Sequence, residues 1–329
     1  MKRIGYLTLA LSIAALSACG GGGGGGPAAS GGGVVYTGVT TPATVTNTNA
    51  NALAGNVTGS TKTTGTVSVT GAVAASSNTP RVSRIMPLIS SKVNQVTGNA
   101  VTNAGVVYGA ATPVSGTSPC AVSGAVSYSG SIDNVTGAGS VSFTFSQCVE
   151  AAGTLSGGMT VTVNGYDLVN SVITDASVSF ASLSFNDSVA TVIMGGTFTD
   201  VLNQTTSTRT QTANFIAVDN ASGKQVKLQN YQVVTVLAPN WSLPLSYTLQ
   251  SSGRVFDSSY GYIDVSTTSP LLFASMTALY PYAGGPVVLT GAPPSQVTVQ
   301  PASATNVLVS GVDANGNAFG PNNVLWSTL

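Results

Sequence analysis

Ser140–Ser146 reads SVSFTFS, and the fold follows from its alternation. Val141, Phe143 and Phe145 fall on one parity; Ser140, Ser142, Thr144 and Ser146 fall on the other. On a helix these side chains would scatter around the axis, whereas on a strand they separate into an apolar face and a hydroxyl face. A sheet with one dry and one wet face is antiparallel, because parallel sheets are covered on both sides.

The same reading extends outward. In AVSGAVSYS (121–129), Val122, Val126 and Tyr128 are expected to face inward, with Ser123, Ser127 and Ser129 outward. In TLSGGMTVTV (154–163), Leu155, Met159, Val161 and Val163 take the inner face, and Asn164-Gly165 signals a hairpin turn. Further strands are expected near 176–186, 188–194, 212–219, 225–237 and 245–256, with a first one at 65–74. The carboxy-terminal NVLVSGVDANGNAFGPNNVLWSTL reads as two strands around Asn315-Gly316. One helix is predicted over 80–96, where Val82, Ile85, Met86, Ile89, Val93 and Val96 recur at helical spacing and Thr79-Pro80 suits its start. Residues 271–289 carry no charge and read as core strands with proline turns, or else as an exposed apolar patch. The expected class is all-β: an antiparallel sheet forming a sandwich or curved half-barrel, with one short helix and a disordered glycine-rich amino-terminal tether.

The leader sets the address. Lys2 and Arg3 precede an uncharged apolar run from Ile4 to Leu16, too short for a comfortable membrane span, and Leu16-Ser17-Ala18-Cys19 follows. This stretch resembles the lipobox of bacterial lipoproteins. The resemblance covers about the first twenty residues and implies cleavage before Cys19, acylation of that cysteine, and a membrane held through its acyl chains. Gly20 stands where that family places Asp for inner-membrane retention, which implies the outer membrane. Gly20–Gly26 then makes sense as a flexible stalk rather than a phosphate loop, since no strand-to-helix unit with a phosphate-binding lysine follows. The organisation expected is a signal peptide at 1–18, a lipidated linker at 19–64 and a β-rich body at 65–329, with a carboxy-terminal subdomain from about 260 a further possibility. The last quarter is similar to the tails of uncharacterised proteobacterial lipoproteins, a resemblance that brings no activity with it.

With Cys19 assigned to lipid, Cys120 and Cys148 remain. In an oxidising compartment they are expected to pair, the alternative being a metal site whose other ligands the spacing does not supply. Parity raises a difficulty, because Cys120 matches the inward set while Cys148 matches Ser146. Either a bulge flips the parity or Cys148 lies just past the end of its strand; we take the second.

Only 6% of the 329 residues are charged, against about a quarter in ordinary soluble proteins. Loss of Lys2 and Arg3 leaves eight basic and ten acidic residues, a net charge of −2, which argues against nucleic acid as a partner. The chain has no histidine and one glutamate, so histidine-based triads, dyads and zinc sites are absent. Lys62, Lys92, Lys224 and Lys227 lack a serine three residues upstream, which removes the Ser-x-x-Lys signature. No catalytic residue and no cofactor is therefore expected. Asp313, Asn315 and Asn317 open like a calcium loop, but Gly316 comes too early and Val324 stands in place of the closing glutamate; a hairpin turn explains the same residues. The reading is a non-enzymatic binding, adhesive or structural module with a protein or glycan partner. Behind it stand a carrier for an apolar ligand in a curved sheet and an aspartate-dependent hydrolase. A transmembrane barrel is disfavoured by the terminal Leu329 and the lack of aromatic girdles.

Overall fold

The computed structural model describes residues 33–65, 111–133, 135–170, 172–187 and 189–329. The lipidation cysteine, the Gly20–Gly26 run, the predicted helix at 80–96 and nearly all of the predicted first strand lie outside them.

Among the described residues fifteen strands follow one α-helix, α1 (Ala50–Gly65), and a short 3-10 turn, Trp326–Thr328, ends the chain. The long ones are β1 (Ala111–Pro119), β2 (Ser123–Asp133), β3 (Gly139–Glu150), β4 (Gly153–Asp167), β5 (Val172–Asn186), β6 (Thr191–Asn203), β7 (Thr208–Asp219), β8 (Gln225–Ala238) and β9 (Ser246–Asp257). Shorter ones complete the chain: β10 (Gly261–Thr267), β11 (Leu271–Phe273), β12 (Val287–Thr290), β13 (Gln296–Pro301), β14 (Asn306–Val312) and β15 (Ala318–Leu325). They form one antiparallel meander in which each strand pairs with its neighbour in sequence. The exception is β11, which doubles back onto β9 and leaves β10 beside β12. Pairing runs unbroken through residue 261, so the carboxy-terminal strands continue the same sheet.

The alternation in SVSFTFS appears as expected. Val141, Phe143 and Phe145 are buried, as are Leu155, Met159, Val161 and Val163 opposite them. Leu271, Phe273, Val287 and Leu289 are buried too, so the strands at the two ends of 271–289 belong to the core, while Leu279 and Tyr282 between them are exposed.

Three local expectations fail for identifiable reasons. Cys148 lies inside β3, not past its end, and a bulge turns it inward. Between Phe145 and Cys148 β3 spends three steps while β4 spends two, and against β2 the same extra residue recurs. Gln147 takes up the irregularity at φ 47°, and facing it Gly124 sits at φ 80°. A side chain on Gly124 would collide with the Gln147 carbonyl. Val122 is exposed because it belongs to the bend before β2. Asn164-Gly165 is not the hairpin turn: compensating bulges there let β4 run on to Asp167.

The largest departure is at residues 33–64, expected as linker. Ala43, Val45, Ala50, Leu53, Ala54 and Val57 are buried. The last four stand at i, i+3, i+4 and i+7, a helical stripe that is half alanine and so weak in hydropathy. The turn into α1 is closed reciprocally: Asn49 Oδ1 accepts from the Thr46 amide at 2.8 Å, and Thr46 Oγ1 accepts from the Asn49 amide at 3.3 Å. α1 packs against β7, β8 and β9 and also against β13 and β14. Strands that far apart in one sheet reach a single helix only if the sheet curls around it. Asn56 Nδ2 donates to Asp257 at 2.5 Å, and the Thr61 hydroxyl meets the Tyr231 hydroxyl at 2.5 Å. Near the helix end, Lys62 Nζ stands 3.7 Å over the Tyr280 ring, which stacks on Trp326 at 5.8 Å. Burial lowers the Lys62 ammonium to about 8.

Candidate functional site

An up-and-down meander has two ends. Residues 33–43 cross one of them. There Val34 packs on Gly195, the Thr37 amide donates to Gln225 Oε1 at 2.8 Å, and the Val39 and Ala43 amides donate to the carbonyls of Ser258 and Tyr262. The opposite end gathers the β4–β5 and β6–β7 turns and the β8–β9 loop, and it holds a cleft.

The cleft has a volume of roughly 360 Å³ and is lined by Asn170, Val172, Leu202, Arg209, Leu237, Trp241 and Ser242, within the size range of small-molecule sites. Its position follows from the meander, which brings residues 170, 202 and 241 together although they come from three different hairpins. Trp241 is set by the loop, its amide donating to Ser207 Oγ at 3.2 Å, while Asn240 Oδ1 accepts from the amides of Ser242 and Leu243. Around the rim Leu168, Val169, Val236, Leu243 and Leu245 are exposed, Val169 at 91% and Leu243 at 73%.

Besides Asn170 and Ser242, the cleft is lined by Arg209, which is held in a buried ion pair with Asp200. Asp200 shares a face with Phe198 and Leu202, Arg209 with Gln211 and Ala213, and all six are buried. Arg209 Nε donates to Asp200 Oδ1 at 2.7 Å and Nη2 to Oδ2 at 2.5 Å. A two-point pair of this kind offsets the cost of taking both charges out of water, and removing one partner leaves a buried charge exposed to that cost. The arrangement offers aromatic and aliphatic surface beside fixed hydrogen-bonding groups. The sequence reading missed it because the predicted strands stopped at 194 and began again at 212. With the strands lengthened, the inward parity of Asp200 and Arg209 is the signal that finds them.

The outward face is of another kind. Ser131, Ser140, Thr162, Ser177, Thr199, Thr212, Gln232, Ser252 and Ser266 stand in register on consecutive strands from β2 to β10. Some of these hydroxyls meet their neighbours: Ser140 contacts Thr162 at 3.3 Å, and Ser142 contacts Thr160 at 3.0 Å in the adjoining row. This row holds the outward face in water without charge.

The aspartates are engaged in structure. Asp133, Asp167, Asp187, Asp219 and Asp257 each end a strand or begin its turn, with Oδ1 accepting from the amides two and three residues on. Asp264 pairs with Arg254 at 2.7 Å, and Asp175 accepts from Asn164 at 3.1 Å. Asp167 is held down at about 2, first by the Asn170 side chain, then by Gln204 and the turn amides. Asp313 closes the last hairpin: its carboxylate accepts from the Asn315 and Asn317 amides at 2.8 Å each and from Asn317 Nδ2 at 3.2 Å. These bonds hold its carboxyl below the usual range, the Asn317 amide foremost. The turn accounts for Asp313, Asn315 and Asn317.

Cys120 and Cys148 form a disulfide with Cα atoms 5.4 Å apart, which ties the segment after edge strand β1 to β3. Among the described residues no helix is long and apolar enough to cross a membrane. No protein-family model, curated protein or solved structure matches this chain.

Proposed function

We propose that this chain is a lipid-anchored cell-envelope protein whose β-body is a non-enzymatic binding module, and that the module takes an amphipathic ligand in the cleft beside Trp241. The anchor rests on the lipobox-like Leu16-Ser17-Ala18-Cys19. The binding reading is carried by one observation: Trp241, Leu202, Leu237 and Val172 line a cleft with the buried Asp200–Arg209 pair, inside a rim of exposed Leu and Val. An apolar body lies against the tryptophan and aliphatic wall, and a hydrogen-bonding group faces Arg209, Asn170 and Ser242. That end lies away from residues 33–43, so a stalk leading from them leaves the cleft open. The engagement of the aspartates in turns and pairs supports a binding role over aspartate-based hydrolysis. The carrier reading shares the ligand chemistry but puts the ligand inside the curved sheet. α1 occupies that side of the sheet between β7–β9 and β13–β14, which favours the cleft.

The two halves are tested separately. Intact mass of protein from its native host should show acyl groups on Cys19; a free thiol there ends the anchor. For the cleft, a chain starting at Gly20 is titrated with a brominated fatty acid while tryptophan emission is followed. Trp241 should be quenched to saturation, and Leu202→Lys should weaken binding at least about tenfold, or ~1.4 kcal/mol. Quenching that is unsaturable, or unaffected by the lysine, removes the cleft from the proposal.

A further inference from the structure

The disulfide has a third member. Glu150, the chain's single glutamate, ends β3 two residues beyond Cys148, and its Oε1 lies 3.7 Å from Cys148 Sγ. The two sulfurs and a carboxylate oxygen lie within 4.8 Å of one another. The bulge at Gln147 makes this possible. Cys148 and Glu150 share a parity, and the bulge turns that parity inward, so both side chains stand beside Cys120. Glu150 is positioned from the other side as well, since its Oε1 accepts from the Ala121 amide at 3.3 Å. Cys148 and Cys120 are buried and Glu150 half-buried, while Ala121, Val122 and Ser123 beside them are exposed and leave a path from solvent.

Two thiolates and a carboxylate are a donor set for zinc-class cations. With Zn–S of about 2.3 Å and Zn–O of about 2.0 Å, a tetrahedral site has a sulfur-to-oxygen edge of roughly 3.5 Å, close to the separation found here. We propose that Cys120, Cys148 and Glu150 form a thiolate–carboxylate site for a tetrahedral divalent cation when the disulfide is reduced, so that the same residues act as a covalent staple when oxidised and as a metal clamp when reduced. The chemistry balances with an external thiol reductant. Two thiols give up two electrons and become a disulfide, and Cys120 and Cys148 become thiols. On metal binding the two cysteines release two protons, and the Glu150 carboxylate completes three ligands. Water takes the fourth position.

The test uses the mature lipidated chain in detergent, reduced with a phosphine and titrated with cobalt(II). Thiolate-to-cobalt charge-transfer absorption should rise to one equivalent, with zinc displacing it. The oxidised chain should give none, and Glu150→Gln should lower affinity at least about tenfold, in line with loss of a ligand-shell carboxylate. Far-ultraviolet circular dichroism is followed in parallel. If reduction unfolds the body, zinc should restore the fold, because binding to a native site is coupled to folding. The proposal is overturned by a folded reduced chain without the charge-transfer band, by equal affinity in Glu150→Gln, or by an unfolded reduced chain that zinc does not restore.

Discussion

A carboxylate that accepts backbone amides in a turn is held ionised, because a proton would take one of its acceptor positions. Asp167, Asp133 and Asp313 are in this condition, all with lowered carboxyls. The sign of the pH effect follows. A group whose folded value is depressed contributes stability that is complete above its unfolded value near 4 and is lost as pH falls through its folded value; for Asp167 that value is about 2. Thermal unfolding followed from pH 5 to pH 2 should therefore show a falling midpoint. Asp167→Asn keeps an acceptor oxygen but cannot titrate, and it should flatten that acid limb. If wild type and variant decline in parallel, the turn carboxylate is not the source. At this scale the sequence was legible where chemistry is local. Asp313, Asn315 and Asn317 read correctly as a turn from their own spacing, because an aspartate beside Asn-Gly needs nothing from the rest of the chain to close a hairpin. Asn164-Gly165 carries the same signal and fails, because its flanking strands continue past it with compensating bulges.

Elements show where parity succeeds and where it slips. Period-two alternation placed Val141, Phe143, Phe145, Leu155 and Met159 on the buried face, since burial of one sheet face constrains every second residue. It could not place Cys148, because one extra residue in β3 inverts the parity of everything after it, and a bulge leaves little mark in composition. Gly124 is the glycine that this bulge requires. Gly124→Ala combines a positive φ with a collision against the Gln147 carbonyl, and should cost about 1–3 kcal/mol in denaturant unfolding. Gly223→Ala is the control, at φ 67° with nothing within 4 Å, and it should cost less. Equal losses would mean that backbone conformation alone is at stake. Among the described residues the sheet's two end strands are treated alike: β1 carries Pro113 and Pro119, and β15 carries Pro321. A proline lacks the amide that another strand would use, so each edge is a poor template for addition of a further chain.

For the whole molecule, what joins distant parts is α1. Its buried apolar stripe is two alanines, one leucine and one valine, and its other positions are mostly Asn, Thr, Ser and Gly with one lysine, so hydropathy gave little warning that residues 50–65 sit between two flanks of a sheet. The cleft was equally hidden, because Asn170 and Trp241 become neighbours only once three hairpins stand side by side. Leu53 is 1% exposed on a helix that touches both β7–β9 and β13–β14. Leu53→Ala should cost about 2–5 kcal/mol. Hydrogen exchange should then quicken in β8 and β14 together, although they are far apart in the sheet. Quickening on one flank alone would mean that the helix does not couple them.

The strand order has a bearing on how the protein comes to be built. From β1 to β10 each strand finds its partner one short hairpin away, while β10 and β12 close across residues 268–286; loop closure is brief at most steps, and topologies of low contact order form fast. A polypeptide delivered gradually can add rungs as they arrive, with no rung waiting for a distant one. The exception is the amino-terminal helix, whose seat is completed only by β13 and β14. Among the described residues, the first element in the sequence is thus the last to be locked in place.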